Sequence, residues 1–89
     1  EIIMSYSVEW TAEALVNQER LTQAVQDRIG NKINWLAENF EQITPMPLSA
    51  NLAGFFKLRV GDYRVIYSFD DDLKVITIHQ IGHRREIYD

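Results

Sequence analysis

"FFKLRVGDYRVIYSF", residues 55–69, decides the fold. In its first limb Phe56, Leu58 and Val60 point one way, and Phe55, Lys57 and Arg59 point the other. Alternation with a period of two is the signature of a strand with one buried face. Gly61–Asp62 supplies a tight turn. In the second limb Tyr63, Val65, Tyr67 and Phe69 share a side and read as core, with Arg64 between them. The segment is therefore a β-hairpin with an apolar face and a basic one.

Working outward, "DDD" at 70–72 is the next turn and "LKVITIHQIG" at 73–82 the last long strand. His79, in the middle of that strand, reads as a structural histidine. The first strand limb is expected to begin at Leu52, within "LAGFFKLRV". Upstream, "TPMP" at 44–47 ends a helical region, because two prolines disfavour both a helix and a central strand. Before it, Val25, Ile29, Ile33, Leu36 and Phe40 recur at helical spacing and form one apolar stripe, with Thr22 as N-cap. Gly30 within the stripe suggests close packing. A shorter helix starts at Ala12 behind Thr11, carries Glu13 in its first turn and ends near Arg20. "SYSVEW" at 5–10 places Tyr6, Val8 and Trp10 on one face of an opening strand. Trp10, Trp35 and Phe40 are assigned to core or helix–sheet packing.

The order is β-α-α-β-β-β. It predicts an α+β domain, with two N-terminal helices packed on one face of a mainly antiparallel sheet. The other face stays open and carries the polar side of the strands. One domain over residues 4–89 is expected, with residues 1–3 an extension ahead of Met4.

Composition narrows the function. The chain has no cysteine, so it can form neither a disulfide framework nor a thiolate metal site, which fits a cytoplasmic setting. No apolar run is long enough to cross a bilayer, and no membrane partner is expected. The net charge of −4 argues against a generic nucleic-acid binder. Its distribution is uneven. Residues 1–50 carry three basic and seven acidic groups, whereas residues 51–89 carry six of each. In the second half the acids fall mostly in turns, and the basic residues fall in or beside strands, which sketches a local basic face.

Several chemistries have no support. His79 and His83 are four apart but on a strand and its exit, so they lack helical metal-site spacing, and no metal or cofactor is expected. The four glycines are isolated, so no phosphate-cradling loop is present. What remains is basic and aromatic: Lys57, Arg59, Tyr63, Arg64, His83, Arg84, Arg85 and Tyr88, the last four within "IGHRREIYD" at 81–89. Arginine forks grip phosphate oxygens and stabilise charge that builds during displacement. Tyrosine and histidine stack on exposed bases. RNA carries its own nucleophile in the 2′-hydroxyl, so the same residues serve either cleavage or binding of a phosphodiester.

"FFKLRVGDYRVIYSF" followed by "ITIHQIGHRREIYD" resembles the RelE/ParE superfamily of bacterial toxins, and the RelE branch more closely. The element order matches, so the resemblance covers nearly the whole chain after Met4. It implies a RelE-like, microbial-RNase-like fold and cleavage of mRNA in the ribosomal A site without a metal. It also implies neutralisation by a RelB-like antitoxin and contact with operator DNA only through the toxin–antitoxin complex. By resemblance, Lys57 and Arg64 bind the scissile phosphate. Arg84 contacts the phosphate and protonates the leaving oxygen. Tyr88 stacks on a base and helps take the 2′-hydroxyl proton. Arg59, His83 and Arg85 support substrate binding, with Arg85 equally suited to an antitoxin carboxylate. Two departures stand out. Phe55 occupies a position where the family pattern has a further lysine, and the chain is acidic where most relatives are basic. A ParE-like, non-enzymatic inhibitor of DNA gyrase, or a catalytically weak regulatory partner, are the alternatives.

Overall fold

The structure, a computed structural model, describes residues 5–48 and 52–86. Its elements are β1 (Ser7–Trp10), α1 (Ala12–Glu19), α2 (Gln23–Asn39), a 3₁₀ turn (Phe40–Gln42), β2 (Met46–Pro47), β3 (Phe56–Val60), β4 (Tyr63–Asp70) and β5 (Val75–His83). The five strands form one sheet in the order β1-β5-β4-β3-β2. β1 runs parallel to β5, and the other pairs are antiparallel. The α+β class and the mainly antiparallel sheet are as expected.

Both helices start as the sequence requires. The Thr11 hydroxyl accepts from the Ala14 N–H, and the Thr22 hydroxyl accepts from the Val25 N–H. α2 buries Ile29, Ile33, Leu36 and Ala37, and these meet Leu58, Val60, Val65, Tyr67, Ile76, Ile78 and Ile81 of the sheet in a single core. Phe40 anchors one end of it, with ring centroids 4.8 Å from Tyr6 and 4.7 Å from Phe69. Burial pushes the Tyr67 hydroxyl pKa up to about 12. The hairpin turn puts Gly61 at φ +61°, a conformation glycine adopts without steric cost.

The last strand is not a regular one. Ile66 of β4 pairs with Gln80, but Tyr67 pairs with Ile78, so His79 is an extra residue in β5. This is a β-bulge, and it inverts the alternation. Ile76 and Ile78 point into the core; beyond the bulge Ile81 does so instead, while Gln80 is exposed. α1 holds the bulge from the edge that β1 leaves open. The Thr11 N–H donates to the Ile78 carbonyl at 3.0 Å, and the Thr11 hydroxyl donates to the His79 carbonyl at 3.2 Å. The Asn17 Oδ1 accepts the Ile81 N–H at 2.9 Å. Backbone groups that would otherwise lie unpaired on a strand edge are thereby satisfied.

Four readings of the sequence need correction. Met46–Pro47 pairs with Lys57 and Phe56, so the segment that ends the helices also contributes a two-residue edge strand, where proline is tolerated. β3 begins at Phe56 and not at Leu52, because Gly54 turns the chain at φ +90°. Trp35 is 42% exposed, since it follows Ile33 by only two residues and so projects away from the buried stripe. Lys32 Nζ instead lies 4.0 Å from its ring centroid. Gly30 does not mark a close approach: among the described residues, a Cβ there would meet no atom within 4 Å outside its own helix backbone and chain neighbours.

Two expectations follow for urea denaturation of the purified chain. Gly30→Ala raises stability by about 0.5–1 kcal/mol, because the helix gains propensity and loses no contact. Asn17→Ala lowers it by about 1–3 kcal/mol through the stranded Ile81 N–H, and Asn17→Asp, which keeps an acceptor, recovers most of that loss.

Candidate phosphodiester-binding face

Alternation along β3 and β4 sends a second set of residues to the face opposite the core. Lys57 and Ile66 are direct cross-strand partners, and Arg59 and Arg64 are the next outward-facing pair. Gly82 of β5 completes the row of Arg59 and Arg64, and Gln80 completes the row of Lys57 and Ile66. Two arginines directly opposed across antiparallel strands repel each other. Lys57, two residues from Arg59, adds a third cation. It is half-buried, and desolvation, followed by the charges of Arg59 and Arg64, lowers its pKa below the usual 10.5. Arg64 is steadied from below, donating to the Tyr63 carbonyl at 3.2 Å.

The bulge decides what joins this face. Were His79 paired in regular register with Ile66, Gln80 and Gly82 would fall on the core side. With the bulge, they fall beside Ile66 and Arg64, and the chain leaving β5 runs past the hairpin turn. The Arg84 N–H donates to the Asp62 carbonyl at 2.8 Å, and Arg84 Nε lies 3.8 Å from the Asp62 carboxylate, both side chains being exposed. Arg84 is thereby held at the end of the hairpin that carries Arg59 and Arg64. The next turn is closed by the Glu86 N–H on the His83 carbonyl at 2.8 Å.

The residues singled out in the sequence are thus only partly gathered. Lys57, Arg59 and Arg64 share one face. Arg84 sits at its end, across the turn. His83 pairs with Tyr63 and shares its face, with ring centroids 5.5 Å apart, so it lies on the opposite side of the sheet from Arg64. Its Nδ1 accepts the Arg85 N–H at 3.2 Å, a bond that shapes the turn after β5. The Arg85 side chain is exposed. Tyr88 lies outside the described residues. Sequence reasoning passed over the surroundings of His79: Nε2 is 2.7 Å from the Ser68 hydroxyl, and the ring stands edge-on to Phe55 at 5.0 Å. The signal was present in the spacing of Ile76, Ile78 and Ile81, where a step of two becomes a step of three.

The clustered charge has a measurable cost. Arg59→Gln is expected to raise stability by about 0.5 kcal/mol at low ionic strength, with the gain fading in salt as screening grows. The sign of the Lys57 effect follows from linkage. Its folded-state pKa lies below its unfolded value, so the penalty is full below the folded pKa and is relieved as pH rises from there toward 10.5. Lys57 in Arg59→Gln should therefore titrate closer to 10.5, which NMR titration of its side chain measures.

The sequence and fold are shared with known proteins. The family described as the ParE toxin of type II toxin–antitoxin system, parDE, matches residues 8–88. Toxin RelG of Mycobacterium tuberculosis is 43% identical over 42 residues, a match spanning 47% of this chain and 48% of that protein's length. A putative RelE-like toxin protein of Escherichia coli is 28% identical over 86 residues, 91% of this chain and 85% of that protein. Among solved structures, the toxin–antitoxin complex RelBE2 from Mycobacterium tuberculosis superposes with a TM-score of 0.82 at 26% identity, covering 94% of this chain and 97% of the matched one. Among the described residues no helix is long and apolar enough to cross a membrane. With a match that runs from β1 past the end of β5, the chain belongs to the ParE toxin family of type II toxin–antitoxin systems, within the RelE/ParE superfamily.

Proposed function

We propose that this toxin is a metal-independent endoribonuclease that cleaves mRNA on the ribosome and so halts translation. The observation that carries the reading is the direct opposition of Arg59 and Arg64 with Lys57 beside them. Two guanidinium groups set directly opposite each other repel, and a polyanion laid across them relieves that repulsion.

In this reading the 2′-hydroxyl of one nucleotide attacks the adjacent phosphorus. The bond from phosphorus to the 5′-oxygen breaks, leaving a 2′,3′-cyclic phosphate and a 5′-hydroxyl. Lys57 and Arg64 hold the non-bridging oxygens and stabilise the dianionic phosphorane. Arg84 approaches from the end of the hairpin, where it contacts the phosphate and delivers a proton to the leaving oxygen. Tyr88 stacks on a base and assists removal of the 2′-hydroxyl proton. Arg59 contacts the backbone. His83 and Arg85 act through the turn that carries Arg84, and Arg85 is also suited to a partner's carboxylate. A lysine with a lowered pKa is the better proton-transfer group near neutral pH, which adds Lys57 to the candidates for acid–base work. The acidic balance of the chain suits an enzyme whose substrate is presented by the ribosome over one that captures RNA alone.

The partners in this reading are a RelB-like antitoxin, which neutralises the toxin, and mRNA in the ribosomal A site, with operator DNA met only through the antitoxin complex; the setting is the cytoplasm. A second reading is a non-enzymatic toxin directed at DNA gyrase, favoured by the ParE description of the matched family.

Expression of the wild type and of Arg84→Ala, with 5′ ends of transcripts mapped on translating ribosomes, separates the two. Codon-phased cleavage is expected from the wild type, surviving EDTA when polyamines keep the ribosomes intact. Arg84→Ala should lower it by about 10²–10³. Growth arrest with lost supercoiling and no phased cleavage would instead identify the gyrase reading.

A further inference from the structure

Beside the cation rows the open face carries a pocket of opposite character. Its volume is about 460 Å³, within the range of small-ligand sites. At its base is Ile66, only 6% exposed although it points away from the core. Two rings line it, Phe55 and His79, with centroids 5.0 Å apart and planes at 81°. The 2.7 Å contact between His79 Nε2 and the Ser68 hydroxyl fixes the second ring. Leu52 adds apolar wall, and Glu13 and Glu86 bring carboxylates. None of the ion pairs among the described residues engages either acid.

A corner of two perpendicular rings suits a flat, polarisable ligand. Such a ligand stacks on one ring and meets the edge of the other. Two carboxylates repel phosphate, so the charged part of a nucleotide cannot occupy the pocket. Ionised carboxylates are acceptors only, and their partner must donate. The location is equally specific, because Ile66 is the direct cross-strand partner of Lys57 and of Gln80. Within one strand spacing the face changes from phosphate-binding to base-binding chemistry.

We propose that this pocket is a nucleobase subsite. It takes the base of a nucleotide whose phosphate lies on Lys57 and Arg64, and it favours bases with an exocyclic amino group over uracil. The proposal rests on the phosphodiester reading of that face. It gives Phe55 a role of its own, since a lysine there would remove the stacking ring and cancel one of the acids.

The test is NMR of the full chain with labelled histidine, isoleucine, lysine and arginine side chains. The probes are AMP, CMP, GMP and UMP as 5′-monophosphates, with ribose 5-phosphate as a base-free control. AMP, CMP and GMP should shift His79 and Ile66 together with Lys57 and Arg64, and UMP should bind about tenfold more weakly. Ribose 5-phosphate should shift the cations alone. Glu13→Gln, on an exposed helical position, should narrow the gap to UMP, because an amide can donate to a uracil carbonyl. Phe55→Leu keeps bulk but removes the ring, and should weaken all four nucleotides by about tenfold. Shifts of Lys57 and Arg64 without His79 or Ile66 would overturn the subsite and leave the phosphate reading standing. Shifts of His79 and Ile66 without the cations would keep the subsite and count against that reading. If no nucleotide perturbs the pocket, and Phe55→Leu instead weakens antitoxin binding, the pocket is a protein-docking groove and the proposal fails.

Discussion

One extra residue in the last strand sets the architecture of the open face. The inserted His79 breaks the alternation of β5, and everything C-terminal to it changes side. The energetic problem is local: a bulge leaves backbone groups without ladder partners, and a buried unpaired amide is expensive. α1 solves it with two side chains, the Thr11 hydroxyl and the Asn17 amide oxygen. Thr11 carries two burdens, since the same hydroxyl caps α1 by accepting from Ala14. The helix start and the strand irregularity are therefore a single structural unit. The course of the chain toward Asp62 and the hairpin, and with it the position of Arg84, depends on that unit.

Electrostatics on the open face run against stability. Arg59 and Arg64 face each other, and Lys57 is discharged more readily than an ordinary lysine. Elsewhere the protein uses charge conservatively: Lys74 pairs with Glu41 at 3.0 Å, and the Asp70 carboxylate accepts from the backbone of its own turn. The contrast lies in the Arg59–Arg64 opposition, where two like charges face each other across neighbouring strands. The apolar pocket beside it is lined by the two carboxylates of Glu13 and Glu86, so the open face carries opposite charge in neighbouring regions.

Much of this was legible in the residues. The hairpin of 55–69 and the helical stripe ending at Phe40 obey simple periods, so their buried faces could be assigned from spacing alone. The two threonine caps were equally readable, because capping chemistry is local. The failures share a cause: they depend on contacts distant in sequence. Asn17 reads as a helix-surface residue until β5 is laid beside it. The strand character of Met46–Pro47 exists only through pairing with β3. Trp35 was placed inside on hydrophobicity, although its helical phase put it outside. The sequence also suggested that His83 joins Arg84 in one cluster, whereas the strand exit separates them across the sheet.

The parallel pairing of β1 with β5 bears on when the protein becomes competent. Ser7–Trp10 waits for Val75–Ile78, and the Thr11 and Asn17 bonds likewise span almost the whole chain. Such long-range closures come late, after local helices and hairpins have formed. On a ribosome that synthesises from the N-terminus, the hairpin with Lys57, Arg59 and Arg64 emerges before the strand that fixes Arg84 beside it. The cationic face is thus complete only once β5 has paired with both β1 and β4, while the hairpin by itself carries Lys57, Arg59 and Arg64 without Arg84.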